Sequence, residues 1–296
     1  MSKTVATDEH EDLVLTPRDV RFDWSSVPVH WIPNEPTATH VINVLHMLLP
    51  EGERWFVRVF QQAVPLITDD ELRERVLGFT GQEAMHASAH QEVLDDLFTA
   101  KGVDIGPYLT QIEYLFNHLL GDRPGLSPTR EREFLIERVA IIAGIEHFTA
   151  FLGDWILNAK ALDRRGADAM MLDLLRWHGA EEVEHRSVAY DLLRHLDPGY
   201  VRRARTMIIS ITALLQLWVR GTRHLLAVDP ELGGSVEPSV KLALSAARRG
   251  LLPNPVKLGI SALRYFSRGY HPSQEGSTRQ AIAYLGASPA ARAAAH

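Results

Sequence analysis

Gly81-Gln82-Glu83-Ala84-Met85-His86 and Glu181-Glu182-Val183-Glu184-His185 share one pattern, Glu-x-x-His. On a helix that spacing sets a carboxylate and an imidazole on the same face, one turn apart. A pattern this short arises by chance, and a lone copy is more often a surface pair, so the neighbours decide its meaning. The stripe through Glu83 also holds Val76, Phe79, Thr80, Ala87, Val93, Leu94 and Leu97, and that through Glu182 holds Leu175, Ala189, Leu192 and Leu193. Both charged pairs therefore face an apolar interior. Burying unpaired carboxylates is costly, and these faces carry few basic residues, so the pattern calls for a bound cation.

Working outward, two more helical segments each supply one inward carboxylate. Glu53 shares a stripe with Leu49, Phe56, Val57 and Phe60, and Glu146 with Val139, Ile142, Ala143, Thr149 and Ala150. The order along the chain is Glu, Glu-x-x-His, Glu, Glu-x-x-His, which is a ligand set for two divalent ions inside a four-helix bundle. The intervals of 30 residues from Glu53 to Glu83 and 36 from Glu146 to Glu182 each allow a helix to turn and return to the same depth. The 63 residues from Glu83 to Glu146 leave room for a crossover. Glu53 is the awkward member, because Pro50 precedes it by three residues. His90, His147, His178 and Glu181 lie beside these ligands and are expected as extra ligands or as groups that orient them.

The rest of the chain also reads as helix. A segment 37–49 is followed by one from Pro50 to about Val64, and Thr68 or Asp69 can cap a helix reaching about Lys101. A shorter helix fits 108–120, and Ser127-Pro128 starts one that runs to about Asp163. Further helices fit about 167–196, where Asp197-Pro198-Gly199 ends the run, then 200–227, 236–249 and 255–268. The expected fold is all-α: a four-helix bundle (core about 38–196) with a fifth long helix and a C-terminal helical cover (198–271), together one domain over 21–271. Residues 1–20 are expected to be disordered and 272–296 a flexible, alanine-rich tail. Between the N-terminus and the first helix, Trp24, Pro28, Trp31, Pro33 and Pro36 predict an irregular arm pinned by tryptophans.

Composition narrows the chemistry. The 296 residues include no cysteine, which excludes disulfides, thiolate metal sites and a Cys nucleophile. No stretch has the roughly 20 apolar residues of a membrane span, and no secretory signal opens the chain, so a cytoplasmic location is expected. Charge is uneven: residues 1–200 carry 18 Lys and Arg against 33 Asp and Glu, and residues 201–296 carry 13 against 4. The basic, apolar C-terminal third suits an anionic membrane surface or an acidic partner. No nucleic-acid partner is expected, and a homodimer is compatible with a helical surface.

The residues Gly52-Glu53-Arg54-Trp55-Phe56, Gln82 to His86, Glu146-His147-Phe148-Thr149-Ala150 and Trp177 to His185 resemble the bacterial family of predicted metal-dependent hydrolases. The likeness extends to Pro28-Val29-His30-Trp31 and Gly269-Tyr270-His271-Pro272, so it spans roughly residues 20–272. That family is similar to the ferritin-like di-metal carboxylate proteins. The resemblance implies Glu53, Glu83, His86, Glu146, Glu182 and His185 as the metal set, which the helical faces also select.

Three activities fit two such ions. Iron or manganese, rather than zinc, suits O2-dependent hydroxylation or desaturation of a lipophilic or acyl substrate, with Phe79, Phe148, Phe151 and Trp155 as its expected pocket. Hydrolysis of an ester, amide or phosphate bond is the second, with the metals supplying the nucleophile, since no Ser–His–Asp arrangement is evident. Ferritin-like metal storage or oxidation is the third. Oxygen chemistry is preferred, because hydrolytic dinuclear sites more often use His- and Asp-rich loops than Glu-x-x-His on bundle helices.

Overall fold

A computed structural model describes residues 14–295, and among these the regular elements are all helices, with no strand. Pro36 occupies the first turn of α1 (Pro36–Ala63), where its missing N–H has no intrahelical partner to lose. The helix runs unbroken through Pro50, so the two segments expected on either side of that proline are one. Buried Met47, Leu48, Trp55 and Phe56 hold both flanks in the core, and their packing outweighs the single backbone bond that Pro50 forfeits. Glu53 is thereby carried into the interior.

Asp69 caps α2 (Asp70–Glu92) by accepting the Leu72 N–H, and the helix widens into π geometry over Val93–Thr99. After α3 (Gly106–Tyr114), α4 (Pro128–Asn158) starts with Pro128 in its first turn and ends where Ala159 leaves helical geometry before the short α5 (Lys160–Arg165). The segment expected as one helix over 167–196 is two, α6 (Ala169–His185) and α7 (Val188–Leu196). The break at Arg186-Ser187 has tertiary causes. The buried Arg186 guanidinium donates to the Val183 carbonyl, to the Pro272 carbonyl at 3.2 Å and to Thr278 Oγ1 at 3.0 Å, while Ser187 Oγ accepts from Arg75 at 2.7 Å.

Helices α1 and α2 pack as one pair and α4 with α6–α7 as the other, forming a four-helix bundle, and α3 lies in the crossover between the pairs. Gly153 and Gly179 bring α4 and α6 unusually close. A Cβ on Gly153 would stand 2.4 Å from the Gly179 carbonyl oxygen and 3.2 Å from Glu182 Cβ. The fifth long helix, α8 (Tyr200–Val228), lies against α1 and α4. Of the cover helices, α9 (Val240–Arg248) packs on α1 and α10 (Pro255–Tyr265) on α4. Among the described residues no helix is long and apolar enough to cross a membrane.

Both ends depart from expectation. The stretch read as a flexible tail from residue 272 contains α11 (Thr278–Leu285) and α12 (Pro289–Ala294), docked on α6. Alanine favours helix and is small enough to seat closely: Ala281, Ala290 and Ala291 are buried, and Asp173 accepts from Tyr284 Oη at 2.8 Å and from the Ala290 N–H at 3.1 Å. Of the residues expected to be disordered, 1–13 lie outside the described residues, but 14–20 form an irregular strap across α2. Pro17 Cγ sits 2.4 Å from where a Cβ on Gly81 would stand, so bare Gly81 lets the strap cross. The arm that follows is pinned as expected, with Trp24 and Trp31 buried and Trp31 Nε1 donating to Asn43 at 2.8 Å.

Candidate metal centre

The four long helices bring Glu53, Glu83, His86, Glu146, Glu182 and His185 together in the middle of the bundle, each almost wholly buried. Two groups of side chains have ligand atoms that all lie within 4.8 Å of one another: Glu53, His86, His178 and Glu182, and Glu83, His86, Glu182 and His185. Glu182 and His86 belong to both. Glu146 joins the second group through His185, whose Nδ1 is 3.3 Å from Glu146 Oε2 while its Nε2 is 3.3 Å from Glu83 Oε1. His86 Nδ1 is 3.6 Å from Glu182 Oε1 and 3.9 Å from Glu83 Oε2.

These separations are wide for hydrogen bonds and near the ~3 Å or slightly more expected between ligands that each sit about 2.1 Å from a common ion. The polar atoms agree. Both oxygens of Glu53 and of Glu83, one each of Glu146 and Glu182, His86 Nδ1 and both nitrogens of His185 are buried without a hydrogen-bond partner. Orphaned buried polar atoms are rare because each forfeits its hydration. Here they converge, in an arrangement that could hold a metal ion.

Electrostatics point the same way. Burial, and then the neighbouring carboxylates, push Glu53 and Glu83 well above the usual carboxylate range. Burial and Glu182 push Glu146 up to about 7. For Glu182 burial is outweighed by His185 and by the His178 hydrogen bond, which hold it down at about 2. His185 keeps a proton up to about 9 despite its burial, because Glu182 and Glu146 face it. Without a cation the cluster must therefore hold protons that metal ions would displace.

The flanking residues divide. His178 stands inside the centre, with Nε2 2.8 Å from Glu182 Oε1 and 3.6 Å from Glu53 Oε1. Glu181 stands one step out and accepts from His86 Nε2 at 2.9 Å, Trp177 Nε1 at 3.0 Å and Arg18 at 2.6 Å. That contact fixes the His86 ring with Nδ1 facing the carboxylates. His90 belongs to neither group and instead links His178 Nδ1, at 2.6 Å, to His46 Nδ1, at 2.7 Å. His147 is not part of the centre. Its helical position turns it away from Glu146 toward the cover, where Nδ1 meets Tyr270 Oη at 2.6 Å and Nε2 meets Ser261 Oγ at 3.1 Å.

A cavity of about 560 Å3 opens onto the centre, with His90, His178 and Glu182 at its inner end and Leu45, Leu214 and Trp218 among its apolar walls. Of the four residues expected around a substrate, Phe148 and Trp155 line this cavity. Phe79 does not, because its ring packs edge-on against His185 at 4.7 Å and stacks on Phe60. Phe151 lines a neighbouring cavity instead.

Two participants escaped the sequence reading. Arg18, in a stretch read as disordered, also reaches Glu184 at 3.0 Å, and no local pattern marks it. His46 was visible, since it lies seven residues before Glu53 and so on the same face of α1. A third group, His30, His40 and Asp229, is a different kind of contact. Both imidazoles lie 2.5–2.7 Å from one Asp229 oxygen, which is hydrogen-bond distance, and they tie the arm and α1 to the end of α8.

The family described as predicted metal-dependent hydrolase matches residues 16–276. The chain belongs to that family. No curated protein and no solved structure matches it. The match to the metal-dependent hydrolases begins in the strap that carries Arg18 and ends just before α11, so it takes in the whole candidate centre and most of the cover. The family description is that of a metal-dependent enzyme, and the buried Glu and His clusters are where this member can hold metal.

Proposed function

We propose that the chain is a dinuclear metal enzyme that oxidises a lipophilic substrate with O2, by hydroxylation or desaturation, and that Glu53, Glu83, His86, Glu146, Glu182 and His185, with His178, hold the ions. The observation that carries this reading is the apolar cavity ending at His178 and Glu182. Such a cavity suits a hydrocarbon segment and offers few groups that would position a carbonyl and a hydrolytic water. Iron, or iron with manganese, bound there would supply dioxygen activation and two-electron oxidation, with an external donor supplying electrons.

The chain's own residues at and around the ligand set support that chemistry. Glu181 orients His86, and Arg18 offsets the charge of Glu181 and Glu184. The chain His178–His90–His46 offers a proton a hydrogen-bonded route from beside Glu182 to the α1–α2 interface. Helices α8 and α9 give the cavity a rim of exposed Leu215, Val240 and Leu244, suited to a substrate arriving from an apolar phase.

Hydrolysis is the second reading, and the family description favours it. One experiment separates the two. Metal-free protein is loaded anaerobically with two equivalents of Fe(II) and metal content is measured; O2 is then added while absorbance is followed. A rapid O2-dependent band, lost in Glu83→Ala and Glu182→Ala, supports oxidation. Two bound metals with no response to O2, together with metal-dependent cleavage of an acyl ester or amide without O2, would replace it with hydrolysis.

A further inference from the structure

Beside the apolar cavity lies a second one, also about 560 Å3, whose walls mix apolar side chains with a cluster of basic ones. Lys160 and Arg164 reach it from α5, Arg248 and Arg249 from the end of α9, and Lys257 from the first turn of α10. Two distant parts of the sequence, α5 and the α9–α10 corner, thus bring five cations to line one volume, against a single lining carboxylate, Asp154. Gly250, at a φ of 77°, makes the turn after α9 and passes close to Ala161, which brings the α9–α10 corner against α5. Arg249 is held by Glu35, whereas Lys160, Arg164, Arg248 and Lys257 form no salt bridge among the described residues. Asp154 and Glu35 offset only part of this charge; concentrating like charges in excess of their counter-ions raises the energy of the free protein, and an anion relieves it.

The two cavities share Trp155, Ala247 and Leu252 as a common wall. An elongated molecule can therefore lie across them with its apolar end toward Glu182 and its polar end among the cations. We propose that the basic cavity binds the phosphate-bearing head of the substrate whose hydrocarbon chain fills the apolar cavity. The inference rests on the reading of the apolar cavity as the substrate site, and adds that the substrate is an anionic amphiphile. Arginine and lysine recognise phosphate by charge-assisted hydrogen bonds, and each cavity falls within the ~300–1,000 Å3 typical of small-molecule sites.

Dodecyl phosphate, dodecanol and inorganic phosphate are the probes, titrated by calorimetry into the full chain loaded with Mn(II). Dodecyl phosphate is expected to bind at least about tenfold more tightly than dodecanol at low salt. In the variant Arg164→Gln/Arg248→Gln/Lys257→Gln, whose altered side chains are exposed, that advantage should fall below about threefold with dodecanol affinity unchanged. Equal affinities in the parent protein, or an advantage that survives the triple substitution, overturn the head-group site while leaving the apolar cavity intact. If neither dodecyl compound binds, the apolar-cavity reading fails and this inference with it. Displacement of dodecyl phosphate by a lysophospholipid points to a lipid source, and displacement by a coenzyme A thioester to a soluble carrier. Displacement by inorganic phosphate alone, with no gain from the alkyl chain, overturns the two-cavity arrangement.

Discussion

Removing metal should make the protein lose stability as pH rises from 7 to 9, and restoring metal should abolish that loss. His185 provides the magnitude. Facing Glu182 and Glu146, it holds its proton up to about 9 when folded, against an ordinary value of 6.5. A group with a raised folded pKa stabilises fully below its unfolded value and loses that stabilisation as pH climbs through the folded one. At about 1.4 kcal/mol per pKa unit, the shift contributes on the order of 3 kcal/mol, nearly all lost by pH 9. Glu53 and Glu83, also pushed up, add loss of the same sign, whereas the interval for Glu146 ends at about 7. Below pH 6.5 the sign reverses for His46, His86, His90 and His147. Burial lowers all four, so the unfolded chain takes up protons there first and acid destabilises the fold. The alkaline window therefore reports mainly on the centre. Urea unfolding at pH 7, 8 and 9, with and without two equivalents of Mn(II), measures it. A falling metal-free curve, a flat loaded curve and a reduced slope in metal-free His185→Gln are expected. Metal-free stability that is level across the window, or an equal fall with metal bound, would refute the reasoning.

Glu181→Gln should weaken metal binding about 10–100-fold in chelator competition without loss of helix, because His86 loses the carboxylate that fixes its ring; unchanged affinity would make Glu181 a structural residue only. Leu214→Trp, filling the apolar cavity, should abolish dodecanol binding while leaving two metals per chain, and retained binding would move the substrate site elsewhere. Gly153→Ala should cost about 1–3 kcal/mol in denaturant unfolding, since its Cβ would meet the Gly179 carbonyl at 2.4 Å; an unshifted midpoint would show that α4 and α6 can separate freely. Vesicles with anionic lipid should sediment the protein at low salt and zwitterionic ones should not, given exposed Leu215, Val240 and Leu244 beside a basic C-terminal third; equal sedimentation with both would dismiss the charge contribution.

What was legible in the sequence was local. Glu-x-x-His spacing and the apolar stripes around it depend on residues within a few turns, so the bundle and the convergence of four glutamates and two histidines follow from periodicity. Pro50 shows the limit of a local rule. Proline disfavours helix interiors, yet packing on both flanks carries α1 through it and Glu53 arrives at depth. The break after His185 shows the converse, where good helix-forming sequence is interrupted because Arg186 finds acceptors almost a hundred residues away. Arg18 was illegible for the same reason: its partners Glu181 and Glu184 are more than 160 positions distant.

The uneven charge of the chain acquires a physical cause once its residues are placed. The acidic excess of residues 1–200 includes the carboxylates in the centre and the pair behind it, Glu181 and Glu184, which Arg18 joins by salt bridges. Metal ions held by these clusters would supply the positive charge the interior lacks, so the bundle could keep more carboxylates than its own cations neutralise. The basic excess after residue 200 does a different task. Its helices cover α1, α4 and α6 without supplying a residue to the centre, and Arg248, Arg249 and Lys257 gather beside the cavity that leads to Glu182. Were those cations only a solvated surface, they would be free to spread over the cover. Their convergence from α9 and α10 onto the volume already flanked by Lys160 and Arg164 instead places positive charge beside an apolar cavity whose lining includes Glu182, which is the arrangement the proposed anionic amphiphile requires.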